Sequence, residues 1–97
     1  MSDSQSQPDS RLVTDNRTRN RFELSVKGET AYLLYDRTNE TLTLIHTEVP
    51  AALRGHHLGE ALVEAALETA RSAGLRIVAI CPFVQAYMRR HPEAGQP

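Results

Sequence analysis

The residues best suited to chemistry form one short segment that joins a predicted strand to a predicted helix. Backbone N–H groups at the start of a helix point outward without partners, and the helix dipole favours negative charge there. Glycines let the backbone approach an anion closely, and an arginine adds a cation. The segment therefore predicts a cradle for a phosphate or pyrophosphate, although an ordinary loop before a helix has the same pattern. It consists of Arg54, Gly55, His56, His57, Leu58 and Gly59.

Two titratable residues, His46 and Glu48, lie near the C-terminal end of the predicted strand that precedes this segment. Strict alternation places them on the same face as Leu42 and Leu44, with Thr47 on the other face. In sheets with crossover helices, ligands tend to bind beyond this end of the strands. A carboxylate or an imidazole there would take a proton from an ammonium group. The alternative is that both side chains are solvated where the strand leaves the core.

Cys81 is the only cysteine, which excludes an internal disulfide and a zinc site built from several cysteines. It ends a predicted strand and immediately precedes Pro82, which suits the first turn of a helix. A thiol at a helix N-terminus can have a lowered pKa and act as a nucleophile. The alternative is a small buried hydrophobic residue. We predict no metal site, because no second ligand stands at metal spacing from His91.

Three strands precede the cradle and must position His46 and Glu48. Residues 21–26 alternate between apolar and polar, and residues 31–35 are apolar on both faces. Residues 41–49 are rich in Thr, Leu and Ile, which favour strands. Because short turns join these segments, we predict an antiparallel meander.

A crossover unit follows the third strand. Residues 58–73 carry an apolar stripe at helical spacing, and Gly74 supplies the C-terminal stop. Residues 75–81 are apolar on both faces, as a covered central strand should be. A strand, a helix and a strand of these lengths make the third and fourth strands parallel neighbours. A second helix is predicted to start at Pro82.

The composition limits the kinds of protein to which the chain can belong. Its 97 residues fit one domain, and residues 1–20 are too polar to bury much surface, so we predict a disordered tail and a domain over residues 21–93. Eleven basic and 12 acidic side chains argue against a nonspecific nucleic-acid surface, which needs a basic excess. No apolar run approaches the roughly 18 residues of a membrane helix, and no secretory signal is visible. We therefore predict a small cytoplasmic protein without nucleic-acid or membrane partners.

The cradle resembles a known motif. Residues 54–59 are similar to the acyl-CoA signature of the GNAT acetyltransferase superfamily, Gln/Arg-x-x-Gly-x-Gly/Ala. The wider stretch more specifically resembles the short GNAT-like branch, with a His-Thr-Glu-Val…Arg-Gly…Cys-Pro-Phe…His-Pro frame, and the resemblance covers residues 21–93. His57 stands where the signature has glycine, so its side chain would either crowd a pyrophosphate or donate a hydrogen bond to it. The chain lacks the helices and last strands that shape the acceptor site in full-size members.

The resemblance implies an α/β (α+β) fold of minimal GNAT type. We expect a twisted, mostly antiparallel sheet of about four strands with two helices, in which the parallel strands splay to admit the pantetheine arm of CoA. The implied activity is transfer of an acetyl group from acetyl-CoA to a primary amine by direct attack. The acceptor is an unidentified amine on a small molecule or a protein.

The resemblance also implies roles for individual residues. The cradle would hold the pyrophosphate, and the third strand through Val49 would hold the pantetheine. Glu48 or His46 would assist deprotonation of the amine, and Tyr87 or Cys81 would handle the sulfur. Cys81 has two functional interpretations, an acyl-accepting nucleophile or a polar lining of the thioester pocket, and Tyr87 is otherwise an aromatic core anchor.

Two other functions fit the same residues. A CoA or acyl-CoA binding module without catalysis is favoured by His57, by the missing acceptor elements and by the small size. A small interaction domain that has lost ligand binding is the third possibility, and it predicts no thermal stabilisation by CoA.

Overall fold

The computed structural model describes residues 9–92, which form five strands and two helices on a single sheet. The predicted α/β fold with two helices is confirmed, and the sheet has one strand more than expected. In chain order the elements are β1 (Thr14–Asn16), β2 (Arg21–Val26), β3 (Glu29–Arg37), β4 (Thr41–Glu48), α1 (Leu58–Ala73), β5 (Arg76–Ala79) and α2 (Pro82–Arg90).

Strands β2, β3 and β4 form the predicted antiparallel meander. The turn between β2 and β3 is made by Lys27 and Gly28, which both have positive φ (53° and 82°). Two such residues in succession match the right-handed twist of a hairpin, and glycine adopts this conformation without steric cost. Local turn chemistry therefore sets the register of these strands.

Strand β1 lies within the segment that was predicted to be a disordered tail. It pairs antiparallel with β2, and Asp15 accepts a hydrogen bond of 2.5 Å from the hydroxyl of buried Tyr35 on β3. The predicted tail is therefore wrong for residues 9–20, and residues 1–8 lie outside the described part of the chain. Backbone pairing and polar contacts hold this strand, including a second one in which Asn16 Nδ2 donates to Glu23 (3.2 Å), so its composition carried no hydrophobic signal.

The crossover from β4 through α1 to β5 has the predicted parallel arrangement. Helix α1 has the predicted bounds, and Gly74 after it has a φ of 71°. Pairing of β4 with β5 ends at Leu44, whose carbonyl accepts the N–H groups of both Ile80 (2.9 Å) and Cys81 (3.0 Å). Beyond Leu44 the two strands are no longer paired, and the rest of β4 continues without a parallel partner.

Both helices cover the same face of the sheet. The largest fully buried side chains come from three strands and from both helices, and they form one core. The alternate residues of the strands are exposed or half-buried, so no helix of the described residues covers the opposite face, which we call the open face. The core side chains are Phe22, Leu33, Leu42, Leu44, Leu62, Val63 and Val84.

Candidate active site

A β-bulge in β4 decides which of its side chains face the helices. Leu44 pairs with Tyr35, but the next paired residue is His46, which leaves Ile45 as an extra residue in this strand. Each bulge of this kind shifts the alternation by one residue. Thr47 therefore lies on the helix-covered face, next to the sulfur of Cys81 at 3.5 Å.

The bulge places His46 and Glu48 on the open face. Their cross-strand neighbours on β3 are Leu34 and Tyr32, which also point away from the helices. The prediction that His46 and Glu48 share a face with Leu42 and Leu44 is therefore wrong, because strict alternation does not continue through a bulge. The two side chains do come together, with His46 Nε2 and Glu48 Oε1 3.0 Å apart and about half of each exposed (53% and 45%).

A cavity of about 480 Å³ lies where β4 ends and both helices begin. Six of the seven residues predicted to bind the cofactor line it, and His56 is exposed and does not. The cavity thus gathers the predicted cradle around the unpaired end of β4. The six are Val49, Arg54, Gly55, His57, Leu58 and Gly59.

The start of α1 supplies hydrogen-bond donors to this cavity. The first intrahelical bond runs from the N–H of Ala61 to the carbonyl of His57 (3.2 Å). The N–H groups of the three residues before Ala61 therefore have no acceptor within the helix, and no side chain caps it. Arg54 is tied beside them because its Nε donates to the carbonyl of Val49 (3.1 Å).

The two glycines of the cradle are needed for different physical reasons. Gly55 has a φ of 85°, and a Cβ there would meet no atom within 4 Å, so it serves the backbone turn. A Cβ on Gly59 would lie 2.8 Å from Cζ of Phe83. Gly59 therefore lets the Phe83 ring of α2 pack against the start of α1, where it forms part of the cavity wall.

His57 precedes α1 in the left-handed region, with a φ of 65°. A residue with a Cβ pays a steric cost there that glycine avoids, which explains why glycine suits this position. The imidazole lines the cavity, and its Nδ1 lies 3.3 Å from Oε1 of Glu60 in the first helical turn.

Cys81 is buried at the N-terminus of α2, next to the point where β4 and β5 part. Burial raises the pKa of its thiol, but the Thr47 hydroxyl and the backbone N–H groups of Val84, Phe83 and Thr47 outweigh that effect. The net result is a pKa below the ordinary value. The position therefore favours a thiolate more than an apolar pocket would.

Tyr87 lies on the α1 side of α2, and it does not line the cavity. Its hydroxyl donates to Oε2 of Glu64 (3.1 Å), and its ring stacks on His91 at 4.5 Å between centroids. Only 6% of the Tyr87 surface is exposed, so the residue is also part of the core. Of the four predicted catalytic residues, Glu48 lines the cavity, whereas Tyr87, Cys81 and His46 do not.

Four residues that sequence reasoning did not assign to the site line the cavity: Thr47, Leu53, Glu60 and Phe83. The signal for Thr47 was the adjacent apolar pair Leu44 and Ile45, which breaks the alternation of β4 and marks a bulge. Phe83 follows Pro82 in the first turn of α2, but only the packing of that turn against Gly59 reveals its place.

Within residues 9–92, no three His, Cys, Asp or Glu side chains are grouped so that they could hold a metal ion. None of the helices in this part of the chain combines the length and apolarity needed to cross a membrane.

Comparison with known proteins agrees with this geometry. Residues 21–96 match the family described as GCN5-related N-acetyl-transferase. The chain is 32% identical over 83 residues to Protein NATD1 of Xenopus tropicalis, covering 82% of this chain and 76% of that protein. It has the same identity over 83 residues to Protein NATD1 of Homo sapiens, covering 82% and 74%. The predicted membership of the GNAT superfamily is thus confirmed, and the chain belongs to the GCN5-related N-acetyltransferase family.

Proposed function

We propose that the chain transfers an acetyl group from acetyl-CoA to a primary amine by direct attack of the amine on the thioester. The observation that carries this proposal is the cavity at the start of α1, which opens where β4 and β5 part. It combines a donor-rich helix start with access to unpaired strand backbone, and acyl-CoA requires both.

The pyrophosphate of acetyl-CoA binds at the start of α1. The N–H groups of residues 58–60 have no acceptor within the helix, and the helix dipole favours an anion there. Arg54 adds a positive charge beside them. Glu60 lines the same cavity but lies near the imidazole of His57, which offsets its charge when that ring is protonated.

The pantetheine arm lies along the end of β4, through Val49, and hydrogen-bonds to the strand backbone as an added strand would. The thioester then reaches the gap beyond Leu44, where β4 has no parallel partner. A backbone N–H of β4 at that gap stabilises the oxygen of the tetrahedral intermediate. Thr47 lines this end of the cavity on the helix-covered side, and its hydroxyl lies 3.5 Å from the sulfur of Cys81.

The reaction removes two protons from the acceptor nitrogen, one before the attack and one as the amide forms, and supplies one proton to the CoA sulfur. Glu48 or His46 takes a proton from the acceptor ammonium, and the 3.0 Å contact between them allows the pair to share it. The amine nitrogen then bonds to the carbonyl carbon, and the bond from that carbon to sulfur breaks. The departing CoA thiolate accepts a proton from Cys81 or from water, and the second proton lost by the nitrogen replaces it. The Tyr87 hydroxyl takes no part in this step, because it donates to Glu64 and does not line the cavity.

A CoA-binding module without catalysis is the second candidate function. The observation in its favour is the position of Tyr87, whose hydroxyl donates to Glu64 on α1 and not into the cavity. A module of this kind binds acetyl-CoA through the same helix start but consumes none of it.

The test combines binding and turnover. Acetyl-CoA at 100 times its dissociation constant should stabilise the fold by about 2.7 kcal/mol and shift the amide resonances of Gly55 and Gly59. Arg54→Ala should weaken binding, while Arg71→Ala at the other end of α1 is the matched control and should not. Release of CoA thiol is then followed over a broad amine panel.

The outcomes separate the candidates. Binding with amine-dependent thiol release supports the transferase. Binding without release over the whole panel would support the module instead, and the absence of any thermal or resonance change would reject acetyl-CoA as a ligand.

A further inference from the structure

We propose that the acceptor is a lysine side chain of a polypeptide with an apolar residue beside it, docked on the open face of the sheet. This inference rests on the proposed acetyl transfer and adds the class of acceptor. The docking surface consists of Ile45, Val78 and Ile80, next to His46 and Glu48, and we call it the acceptor face.

The two sides of the gap between β4 and β5 differ because of the bulge. On the helix-covered side, Thr47 lines the cavity, and its hydroxyl lies 3.5 Å from the sulfur of Cys81 at the start of α2. On the open side, His46 and Glu48 present an exposed imidazole and an exposed carboxylate, and Glu48 also lines the cavity. An amine that approaches from the open side therefore meets a proton acceptor at the edge of the cavity.

An apolar patch lies on the open side next to this pair. Ile45 on β4 is 40% exposed, Val78 on the neighbouring strand β5 is 37% exposed, and Ile80 directly after β5 is 56% exposed. They account for three of the five large hydrophobic side chains that are exposed within residues 9–92. A concentration of this kind on one surface marks a place where a partner binds.

The rest of the open face is occupied by contacts of its own. Arg21 pairs with Glu23, and the Arg21 guanidinium stacks over the ring of Tyr32 at 4.5 Å. Arg21 and Glu23 are each about one-fifth exposed, so this region has little charge to offer a ligand. Glu48, by contrast, is 45% exposed and its carboxylate lies beside the His46 imidazole, so its charge complements a lysine ammonium.

The shape of the patch selects a polypeptide as the occupant. Its side chains are each more than one-third exposed, whereas small molecules bind in concave sites that bury most of their surface. An extended chain can place a lysine at Glu48 and lay a neighbouring apolar side chain over Ile80. A second copy of this chain fits less well, since three side chains fall short of the about 800 Å² per partner that stable interfaces bury.

The experiment compares two capped peptides of equal charge, each with one lysine, flanked by leucines in one and by serines in the other. We expect kcat/KM to be about tenfold higher for the leucine peptide, since apolar burial of part of a leucine supplies a factor of that size. Ile80→Ser should remove this preference and leave the serine peptide unchanged. Leu12→Ser is the matched control, because Leu12 is 68% exposed and lies outside the acceptor face.

Equal kcat/KM for the two peptides, or equal losses in Ile80→Ser and Leu12→Ser, would overturn the proposal. Acetylation of small amines without any acetylation of the peptides would overturn it while leaving acetyl transfer intact. If no amine is acetylated although acetyl-CoA binds, acetyl transfer itself fails. Sedimentation that finds a dimer dispersed by Ile80→Ser, with the peptide preference unchanged, would assign the patch to a second copy.

Discussion

At the scale of single residues, substitution of His57 measures the effect of a side chain at a position of the cradle where glycine is favoured. Its φ of 65° costs about 1 kcal/mol for a residue with a Cβ, but glycine loses about 0.4–1 kcal/mol more entropy on folding. We therefore expect His57→Gly to change the free energy of unfolding by less than about 1 kcal/mol, and to leave acetyl-CoA affinity equal or tighter. Urea unfolding and a binding titration measure the two effects.

Gly55→Ala is the control for this substitution. Gly55 has a φ of 85°, so an added Cβ there introduces the strain that His57→Gly relieves, and stability should fall by about 1 kcal/mol. If His57→Gly instead weakens acetyl-CoA binding strongly, the imidazole is itself a ligand of the cofactor and does not merely occupy the position of a glycine.

Cys81 separates direct transfer from a covalent acetyl-enzyme. The lowered pKa of its thiol and its place at the start of α2 would favour a nucleophile. A nucleophilic thiol also needs a base, and the candidate from the sequence, His46, lies on the open face. We expect Cys81→Ala to keep substantial turnover, while Glu48→Gln lowers it by about 100-fold. Tyr87→Phe should leave turnover nearly unchanged, because its hydroxyl bonds to Glu64 outside the cavity. Steady-state kinetics with one fixed amine measures all three variants.

A covalent route gives a different result. It predicts that Cys81→Ala abolishes transfer, and that mass spectrometry finds an acetylated Cys81 peptide after acetyl-CoA alone. If an added amine then removes that acetyl group and becomes acetylated, direct attack is the wrong mechanism.

At the scale of elements, the bond between Tyr35 and Asp15 attaches β1 to the centre of the sheet. Burial, together with this bond, raises the pKa of Tyr35 to about 12 from 10.0. Because the folded pKa is raised, the protonated phenol stabilises the fold below pH 10, and this contribution is lost as pH rises from 10 to 12. Tyr35→Phe should cost about 1 kcal/mol at pH 7 and lose less stability than the parent between pH 10 and 12.

Urea unfolding at a series of pH values checks this prediction. In Asp15→Ala the acceptor is already gone, so adding Tyr35→Phe should cost less than it does in the parent. Additive losses and parallel pH profiles would mean that the bond does not hold β1 to the sheet.

At the scale of the whole molecule, one sheet separates two chemical environments. The helix-covered face carries the core and the buried sulfur of Cys81, and the open face carries His46 and Glu48, of which Glu48 also lines the cavity. The gap beyond Leu44 is the place where the two environments meet. The described part of the chain, about 80 residues, forms both environments with a single layer of strands and a single layer of helices.

Local pattern in the sequence was enough to predict the helices, the meander and the cradle. Helix α1 matched its predicted bounds because its stripe of apolar residues and the stop at Gly74 are properties of adjacent residues. Five of the six residues in the segment 54–59 line the cavity for a similar reason, since a loop that enters a helix carries its donors with it.

Contacts between residues distant in the chain decided the rest. The bulge at Ile45 arises from the pairing of β4 with β3, and it alone turned Thr47 inward and His46 outward. Tyr87 bonds to Glu64, 23 residues earlier in the chain, and the small size of Gly59 serves Phe83 on another helix. Periodicity describes which faces an isolated element would have, whereas strand register and helix packing determine what those faces meet.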